Sequence, residues 1–398
     1  MNIGLVTLGL KPGGAQRLIL EEARHFKKRD HDVTLITDID DKEFRCSIGM
    51  KDIRVQGYPF LEFNSPPVVD RLFEIRRLRR MLVEQDINVV ISHYHDIEIY
   101  LATRGTDIKY SCHVNGSPFW FTYSWPILPH QRKVGYEAIV DAVEGHGEFV
   151  AEENYPVYKR FYQEARESLR KRALQKSAVV TTLTDCVASE LKFCYEVEPE
   201  VVRPGVGNEW FEMDVNAVPR DIEGVTTDHA ILNVGRLDER KRNKLLIRAF
   251  ARITKERDDV TLIIGGTGNE GDTLRTIVDD LEINNKVVFP GYIPEEELPK
   301  YYTAADILAH PAWVAYGLVP LEAYVLGTKV AISTDTMVKE IIADEPGVQI
   351  IAPKVSEWAV GMCDLLDAPN HIPNRTAIPT WTQYFDNKYE AMVDREIF

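Results

Sequence analysis

Two cationic side chains follow a short apolar run in the second half of the chain. Arg236 comes two positions after the end of a predicted strand, residues 231–234, and Lys241 follows five residues later, near the next predicted helix. The carboxyl ends of parallel strands meet at one edge of a sheet, so both cations are expected at a ligand-binding edge. There a guanidinium and an ammonium group could neutralise the charge of a departing diphosphate. The alternative for both residues is a solvated charge run, which is the interpretation given to the neighbouring Arg240 and Arg242.

A carboxylate stands inside an otherwise apolar stretch further along the chain. Glu322 lies in the segment YGLVPLEAYVLG, on the first turns of a helix predicted to begin at Gly317 and Leu318. A carboxylate can accept two hydrogen bonds from the vicinal hydroxyls of a ribose. The alternative is an ordinary exposed helical glutamate, but the apolar neighbours argue against simple solvation.

Two glycine-rich turns have the composition of anion-binding loops. Gly13 and Gly14 open the first predicted helix, where backbone N–H groups could approach an anion. The alternative is a turn that simply needs positive φ. Gly266 belongs to a G-x-G-x-x-G pattern, but the next strand does not end in the acidic residue of a dinucleotide-binding site. A nucleotide-facing loop at Gly266 is therefore predicted, and a nicotinamide cofactor is not.

Short apolar runs alternate with longer amphipathic runs, a pattern typical of βαβ units and parallel sheets. A segment rich in proline and glycine, residues 204–228, separates two such series and predicts a linker. We predict an α/β protein with two Rossmann-like, doubly wound domains, residues 1–208 and 209–379, facing a central cleft. The C-terminal helix, residues 380–398, is expected to pack back on the first domain. The predicted strands of the second series are residues 231–234, 261–264, 287–289, 307–309, 329–332 and 348–350.

Composition excludes several classes of protein. The 398 residues carry a net charge of −15, whereas nucleic-acid binders present a basic surface. The charge is uneven, at −2 for residues 1–205 and −13 for the remainder. The five cysteines are scattered without a C-x-x-C pair, which favours a reducing compartment over a disulfide framework or zinc site. With no signal-peptide pattern and no apolar run of about 18 residues, the sequence predicts a cytoplasmic protein.

The order of the motifs resembles the retaining glycosyltransferases of family 4, which have the GT-B fold. The segments that carry the resemblance are GGAQR, CHVNG, VGRL, GGTGNE, VVFPGYI and YGLVPLEA, in this order. The resemblance extends over essentially the whole chain and is most specific in residues 231–333. It implies a nucleoside-diphosphate sugar as donor, transfer of a hexose with retention, and no requirement for a metal or other cofactor.

The resemblance also implies roles for individual residues. Carried onto matching positions, it assigns the donor diphosphate to Arg236 and Lys241 and the ribose to Glu322. The glycines of the first loop, Gly13 and Gly14, would line the reaction centre. The predicted donor site also includes Gly266, Gly317 and Leu318.

One histidine of the first half resembles the active-site histidine of the family. His113, placed on the loop after a predicted strand, would lie near the transferred sugar and act as a catalytic residue together with Arg236 and Lys241. The alternative is a core imidazole whose hydrogen bonds are satisfied.

The sequence departs from the family pattern at the sugar end of the donor site. The first Glu of the Glu-x₇-Glu motif is replaced by Val314, and an expected Gly-Gly pair is replaced by Thr336 and Met337. Two alternatives to a glycosyltransferase therefore remain: a glycosyltransferase-like subunit with little activity alone, and a sugar-nucleotide epimerase. An epimerase needs acid and base carboxylates at the sugar, so the missing Glu argues against it.

Two groups of potential metal ligands are discounted. Asp38 and Asp40 resemble an Asp-x-Asp metal motif, but neighbouring acidic residues indicate a solvated loop. His93, His95 and Asp96 are ligand types whose side chains are expected to diverge at a strand end. We predict no metal site.

The acceptor side is predicted in the first domain. An aromatic segment, residues 119–125, lies between two predicted basic helices, residues 68–84 and 155–176. Aromatic rings beside cationic helix faces suit anionic headgroups, which favours a lipid-linked acceptor or a growing glycan and peripheral contact with the inner face of the cell membrane. The alternative is an aromatic core segment between helices with ordinary charged faces. The basic residues are Arg71, Arg76, Arg77, Arg79, Arg80, Lys159, Arg160, Arg166, Arg170, Lys171 and Arg172.

Overall fold

The computed structural model describes residues 1–10, 14–47, 49–58, 68–117, 157–314 and 316–398. The predictions for Gly13 and for the aromatic segment 119–125 lie outside these residues. The chain forms two compact units. The first consists of the described residues up to Arg203 together with Thr382–Phe398, and the second contains Pro204–Trp381. The change of unit at Pro204 coincides with the start of the predicted linker.

The first unit contains a parallel sheet with the strand order β3-β2-β1-β4-β5-β6-β7. Its central strands are apolar on both faces, as expected for a sheet covered by helices on both sides. Its elements, in chain order, are β1 (Asn2–Val6), α1 (Gly14–Lys28), β2 (Asp32–Thr37), α2 (Lys42–Ser47), β3 (Arg54–Gly57), α3 (Val68–Glu84), β4 (Val89–Ser92), α4 (Asp96–Thr103), β5 (Lys109–Val114), α5 (Val157–Lys176), β6 (Val180–Thr182), α6 (Asp185–Tyr195) and β7 (Glu200–Val201).

The second unit contains a parallel sheet with the order β10-β9-β8-β11-β12-β13. The two parallel sheets, each with helical connections, confirm the predicted α/β fold class. The elements are β8 (His229–Val234), α7 (Asn243–Ile253), β9 (Val260–Gly265), α8 (Gly271–Asp280), β10 (Val287–Gly291), α9 (Leu298–Ala304), β11 (Ile307–His310), α10 (Leu318–Val325), β12 (Lys329–Ser333), α11 (Lys339–Ile342), β13 (Val348–Ile351), α12 (Val355–Asp367) and α13 (Trp381–Val393), the last of which continues into the first unit.

Each unit has its own hydrophobic core. In the second, α7 and α12 pack against the sheet through fully buried side chains that include Phe250 and Trp358. In the first, residues of α1 pack together with residues of β1, β2 and β4, and the core also contains Met392 and Ile397 from the C-terminal segment. The last residues are thus core components of the first unit. Across the described chain, no helix is long and apolar enough to cross a membrane.

Candidate functional site

The strand order of the second sheet defines a topological switch point. β8 lies between β9 and β11, so the chain leaves β8 toward one edge of the sheet and later returns on its other side as β11. Ligands of open α/β sheets bind outside the carboxyl ends of the strands at such a point. The loops that follow β8 and β11 therefore contain the residues best placed to hold a ligand.

The loop after β8 places Arg236 and Lys241 at this point. Gly235 has a φ of 151°, and a Cβ atom built on it would lie 3.7 Å from Nζ of Lys241. Arg236 is exposed and Lys241 is partly covered. The pKa of Lys241 is lowered to about 8, mainly by burial; Asp238 opposes this shift, and Arg240 and Arg236 contribute to it. A bound anion would reverse this shift, because it favours the charged ammonium.

The glycine-rich turn after β9 supports the loop that carries Arg236. A Cβ atom on Gly266 would lie 1.9 Å from the carbonyl oxygen of Gly235, and one on Gly268 would lie 2.3 Å from that of Leu237. The backbone N–H of Leu237 donates to the carbonyl oxygen of Thr267 at 2.9 Å. The glycines allow the two loops to touch along their backbones. A contact of Gly266 with a donor stays a prediction.

Glu322 is held by a buried tyrosine that the sequence analysis did not identify. α10 begins after Gly317, whose φ is 137°, and Glu322 lies within the helix. The hydroxyl of Tyr302, from α9, donates to Oε2 of Glu322 at 3.0 Å. Burial and Glu322 raise the pKa of the fully buried Tyr302, so its hydroxyl remains a donor. The carboxylate is therefore orientated before any ligand binds.

His310, the last residue of β11, is a second residue of the site that the sequence patterns did not predict. It is 1% exposed, and neither ring nitrogen has a hydrogen-bond partner among the described residues. A Cβ atom on Gly317 would lie 3.6 Å from Nε2 of His310 and 3.5 Å from Cγ2 of Val314. Burial lowers the pKa of His310, and the ammonium of Lys241 lowers it further. The available signal was a polar residue directly after an apolar strand.

The two departures from the family pattern lie side by side. Val314 and Thr336 form an isolated parallel bridge, and the N–H of Met337 donates to the carbonyl oxygen of Val314 at 3.2 Å. The hydroxyl of Thr336 donates to the carbonyl oxygen of Ala312 at 2.5 Å. The two altered stretches of chain are therefore joined by hydrogen bonds beside the start of α10.

Arg242 does not belong to a solvated charge run. Its guanidinium lies 2.5 Å from Oδ2 of Asp335, which is 1% exposed. Arg242 also has a φ of 51° and precedes the first residue of α7. The interpretation was wrong because a contact between residues so distant in sequence leaves no local pattern. Arg240 is more exposed and pairs with Asp238.

In the first unit, His113 lies inside β5 and not on the loop after it. It is 1% exposed, and Nδ1 lies 2.7 Å from the hydroxyl of Thr181. Nε2 lies 3.3 Å from the hydroxyl of Tyr384, on α13. Burial lowers the pKa of His113 and keeps the imidazole neutral. This is the geometry of a satisfied core histidine, and the catalytic role of His113 stays a prediction. Gly14 is the first residue of α1.

The discounted metal ligands have other partners. Asp40 accepts two hydrogen bonds from Arg45, at 2.6 and 2.8 Å. His93 lies 3.0 Å from the carboxylate of Glu22, and the Asp96 carboxylate lies 3.4 Å from Arg170. Within the described ranges, no three side chains of histidine, cysteine, aspartate or glutamate are arranged to hold a metal ion.

Comparison with known families identifies the class of protein that this fold and site define. The family model described as Glycosyltransferase Family 4 matches residues 12–209, and the model described as Glycosyl transferases group 1 matches residues 217–377. Together they cover most of the chain. The chain belongs to the family 4 (group 1) glycosyltransferases, which confirms the resemblance inferred from the motifs.

Solved structures of similar fold are GT-B glycosyltransferases. A glycosyltransferase from Rickettsia africae superposes with a TM-score of 0.67 and 16% identity, over 99% of this chain and 93% of that one. HepE from Anabaena, solved in complex with UDP, gives a TM-score of 0.67 and 16% identity, over 100% of this chain and 96% of that one. The fold of the chain is therefore GT-B.

Similar curated proteins share higher identities over shorter segments. An uncharacterized glycosyltransferase of Methanocaldococcus jannaschii is 34% identical over 167 residues, which is 40% of this chain and 42% of that protein. A GDP-mannose-dependent alpha-(1-6)-phosphatidylinositol monomannoside mannosyltransferase of Mycolicibacterium smegmatis is 29% identical over 266 residues, 63% of this chain and 67% of that protein. A D-inositol 3-phosphate glycosyltransferase of the same organism is 32% identical, and the match spans 42% of this chain and 40% of that protein.

Proposed function

We propose that the protein is a retaining glycosyltransferase that moves a hexose from a nucleoside-diphosphate sugar to an acceptor. The observation that carries the proposal is the cluster at the switch point of the second sheet. Arg236 and Lys241 follow β8, and Glu322 stands on α10 with its carboxylate bonded to Tyr302. Two cations suit a diphosphate, and a fixed carboxylate suits the two hydroxyls of a ribose.

The main requirement of this reaction is that the protein stabilise the negative charge of the departing diphosphate. The bond between the anomeric carbon and the distal phosphate breaks, and its electron pair leaves on the phosphate oxygen. The acceptor hydroxyl forms the new bond and gives its proton to that departing oxygen. Arg236 and Lys241 would stabilise the charge that develops on the diphosphate. This scheme requires no metal ion.

The names of related proteins narrow the donors worth testing. HepE was solved with UDP and glucose, and the mycobacterial relative is named as GDP-mannose-dependent. UDP and GDP are therefore the first two nucleotides to compare.

Titration calorimetry in EDTA tests the donor site. We expect one of UDP, GDP and ADP to bind tightly to the wild type and at least about tenfold more weakly to Glu322→Gln, since hydrogen bonds to charged groups contribute about 1.5–3 kcal/mol. Glu357→Gln, which alters an exposed carboxylate of α12, should bind like the wild type. Equal affinities of the Glu322 variant and the wild type would contradict the assignment.

An NMR measurement of the product's anomeric configuration tests retention, and an inverted product would overturn it.

For the acceptor we propose a lipid-linked molecule or a growing glycan, reached by peripheral contact of the first unit with anionic membrane. Support comes from one face of α3, where Phe73 is 63% exposed and the helical turns that follow it carry exposed arginines. Arg79 is not on this face, because it donates to the carbonyl oxygens of Ala102 and Leu101. The exposed residues of the face are Phe73, Arg76, Arg77, Arg80 and Val83.

Vesicle sedimentation tests this membrane contact. Wild-type protein should bind vesicles containing anionic phosphatidylglycerol more than pure phosphatidylcholine vesicles. Binding should be lost when Arg76, Arg77 and Arg80 are replaced by Glu and retained when the exposed Arg395 is replaced by Glu. Unchanged sedimentation of the triple variant would refute this role of α3.

A second candidate is a glycosyltransferase-like subunit that binds nucleotide without turning over alone. The observation that favours it is the pair of altered stretches, at Val314 and at Thr336 and Met337, which are joined by backbone contacts. Sugar transfer by the purified chain, with and without membrane extract, separates the two candidates. Tight nucleotide binding without transfer in either condition would favour the subunit.

A further inference from the structure

His310 occupies the position in the second sheet where a ligand is most expected. It ends β11, and β11 is the strand that meets β8 at the switch point. The Lys241 ammonium is close enough to lower the pKa of the imidazole. Nε2 lies 3.6 Å from the position that a Cβ atom on Gly317 would take, and Gly317 is the residue before the first turn of α10. His310 therefore lies near both a cation and the N-terminal end of a helix, and both attract anions.

The imidazole is buried without a hydrogen bond in the part of the chain that the structure describes. Leaving a buried polar group unpaired is unfavourable, and such groups in folded proteins often mark a missing ligand. Neighbouring Val314 offers only methyl groups, with Cγ2 3.5 Å from the same point on Gly317. Among the described residues, no protein group therefore accounts for a polar side chain at this position.

The direction of α10 indicates which part of a bound donor would lie near His310. Glu322 lies five positions after Gly317, which corresponds to about 7.5 Å along a helix at about 1.5 Å per residue. A donor whose ribose binds Glu322 and whose diphosphate extends toward the start of the helix would bring its distal phosphate near Gly317. Nε2 of His310 and Nζ of Lys241 would then face the same phosphate.

We propose that His310 is a further donor-binding residue, whose Nε2–H donates a hydrogen bond to the distal phosphate of the nucleoside-diphosphate sugar. The inference rests on the proposed function and adds a specific contact to it. The phosphate concerned is the one bonded to the transferred sugar, so the bond also helps to hold the leaving group. No proton is transferred from His310.

Calorimetry of three histidine variants in EDTA tests the contact, with UDP, GDP and the corresponding monophosphates as probes. His310→Leu should weaken binding of the preferred diphosphate about tenfold and leave monophosphate binding within about twofold, because only the diphosphate reaches Nε2. His310→Gln, whose amide can place a donor near Nε2, should keep part of the affinity. The matched control is His229→Asn, at the opposite end of the same sheet, where His229 pairs with Asp306, and it should bind like the wild type.

Thermal unfolding separates this role from a structural one. The substitution His310→Leu removes an unpaired polar group from the interior, so the ligand-free variant should melt at the same temperature as the wild type or higher. A merely structural histidine would give the reverse, a lower melting temperature with unchanged affinity per folded molecule. If His310→Leu does not fold, His310→Gln provides the same comparison of diphosphate with monophosphate.

The outcomes distinguish this inference from the proposed function. If the wild type binds a diphosphate and Glu322→Gln weakens it while both His310 variants do not, the donor site stands and the His310 contact is refuted. If His310→Leu weakens binding of the intact sugar nucleotide but not of the free diphosphate, the contact is with the hexose and the phosphate assignment is overturned. If the wild type binds none of the diphosphates, both proposals fall together.

Discussion

At the scale of single residues, Lys241 links donor binding to pH. Burial lowers the pKa of its ammonium to about 8, so more than half of the free protein carries a neutral Lys241 above that pH. A diphosphate favours the charged form, and binding above pH 8 must therefore take up a proton. We expect affinity for the preferred diphosphate to fall as pH rises from about 7 to about 9.

Calorimetry in buffers of different ionisation enthalpy measures this proton uptake directly. Lys241→Arg, whose guanidinium stays charged throughout the range, should bind with an affinity that changes little between about pH 7 and about pH 9. A wild-type affinity that is equally flat would show that Lys241 does not contact the anion.

Tyr302 is expected to matter through Glu322 and not through the ligand itself. Tyr302→Phe removes one hydrogen bond to the carboxylate, at 3.0 Å, and should weaken nucleoside diphosphate binding about three- to tenfold at neutral pH. The neighbouring Tyr301, on the same helix but only partly covered, offers the control variant Tyr301→Phe, which should change nothing. In the Glu322→Gln background, Tyr302→Phe should have a smaller effect than in the wild type. Additive effects in calorimetry would contradict this coupling.

At the scale of elements, the close approach of the two loops after β8 and β9 limits what can replace glycine. Gly266→Ala would place a methyl group 1.9 Å from the carbonyl oxygen of Gly235, at a φ of 127°. Clash and strain together should cost about 2–4 kcal/mol in the free energy of unfolding. Because the displaced loop carries Arg236, diphosphate affinity should fall as well.

Gly271→Ala is the matched control for this prediction. Its Cβ would meet only Cδ1 of Leu237, at an ordinary 3.8 Å, in the first turn of α8. Urea unfolding should place this variant close to the wild type. A Gly266 variant of wild-type stability would mean that the two loops can separate at little cost.

At the scale of the whole molecule, α13 joins the first unit through a buried ion pair. Nζ of Lys388 lies 2.7 Å from Oε1 of Glu22, and both side chains are 2% exposed. Lys388→Met would leave the carboxylate of Glu22 buried without this partner, which should cost about 3–5 kcal/mol. Arg395→Met breaks an exposed pair with Glu200 in the same segment and should cost under about 1 kcal/mol. Urea unfolding compares the two, and equal losses would contradict a special role for Lys388.

The ion pair between Lys388 and Glu22 also makes the free energy of unfolding of the first unit depend on pH in the acid range. Burial alone would raise the pKa of Glu22, but Lys388 and His93 lower it from 4.5 to about 2. A lowered carboxyl pKa contributes stability that is present above pH 4.5 and is lost as pH falls toward about 2. In Lys388→Met this contribution should shrink, and unfolding followed against pH should begin at a higher pH than in the wild type.

The local patterns of the sequence were enough to predict the fold class and many residues of the candidate site. They were not enough to predict the long-range contacts that hold those residues in place. The strand predicted at residues 307–309 is Ile307–His310, because an apolar run ends one residue before the hydrogen-bonded strand does. That residue, His310, was missed for this reason. Tyr302 and Arg242 act through partners 20 or more residues away, and such pairs leave no periodic signal. His113 was placed on a loop because its partners, Thr181 and Tyr384, cannot be read from its own neighbourhood.

The division of the first unit along the chain also sets an order of events during synthesis. Thr382–Phe398 belongs to the first unit, yet it is translated after all of Pro204–Trp381. Until then the amino-terminal sheet lacks Met392 and Ile397 from its core and Lys388 opposite Glu22. On the ribosome, the second unit therefore has every residue it needs before the first one does. The half of the molecule that is made first is the half whose assembly must be completed last.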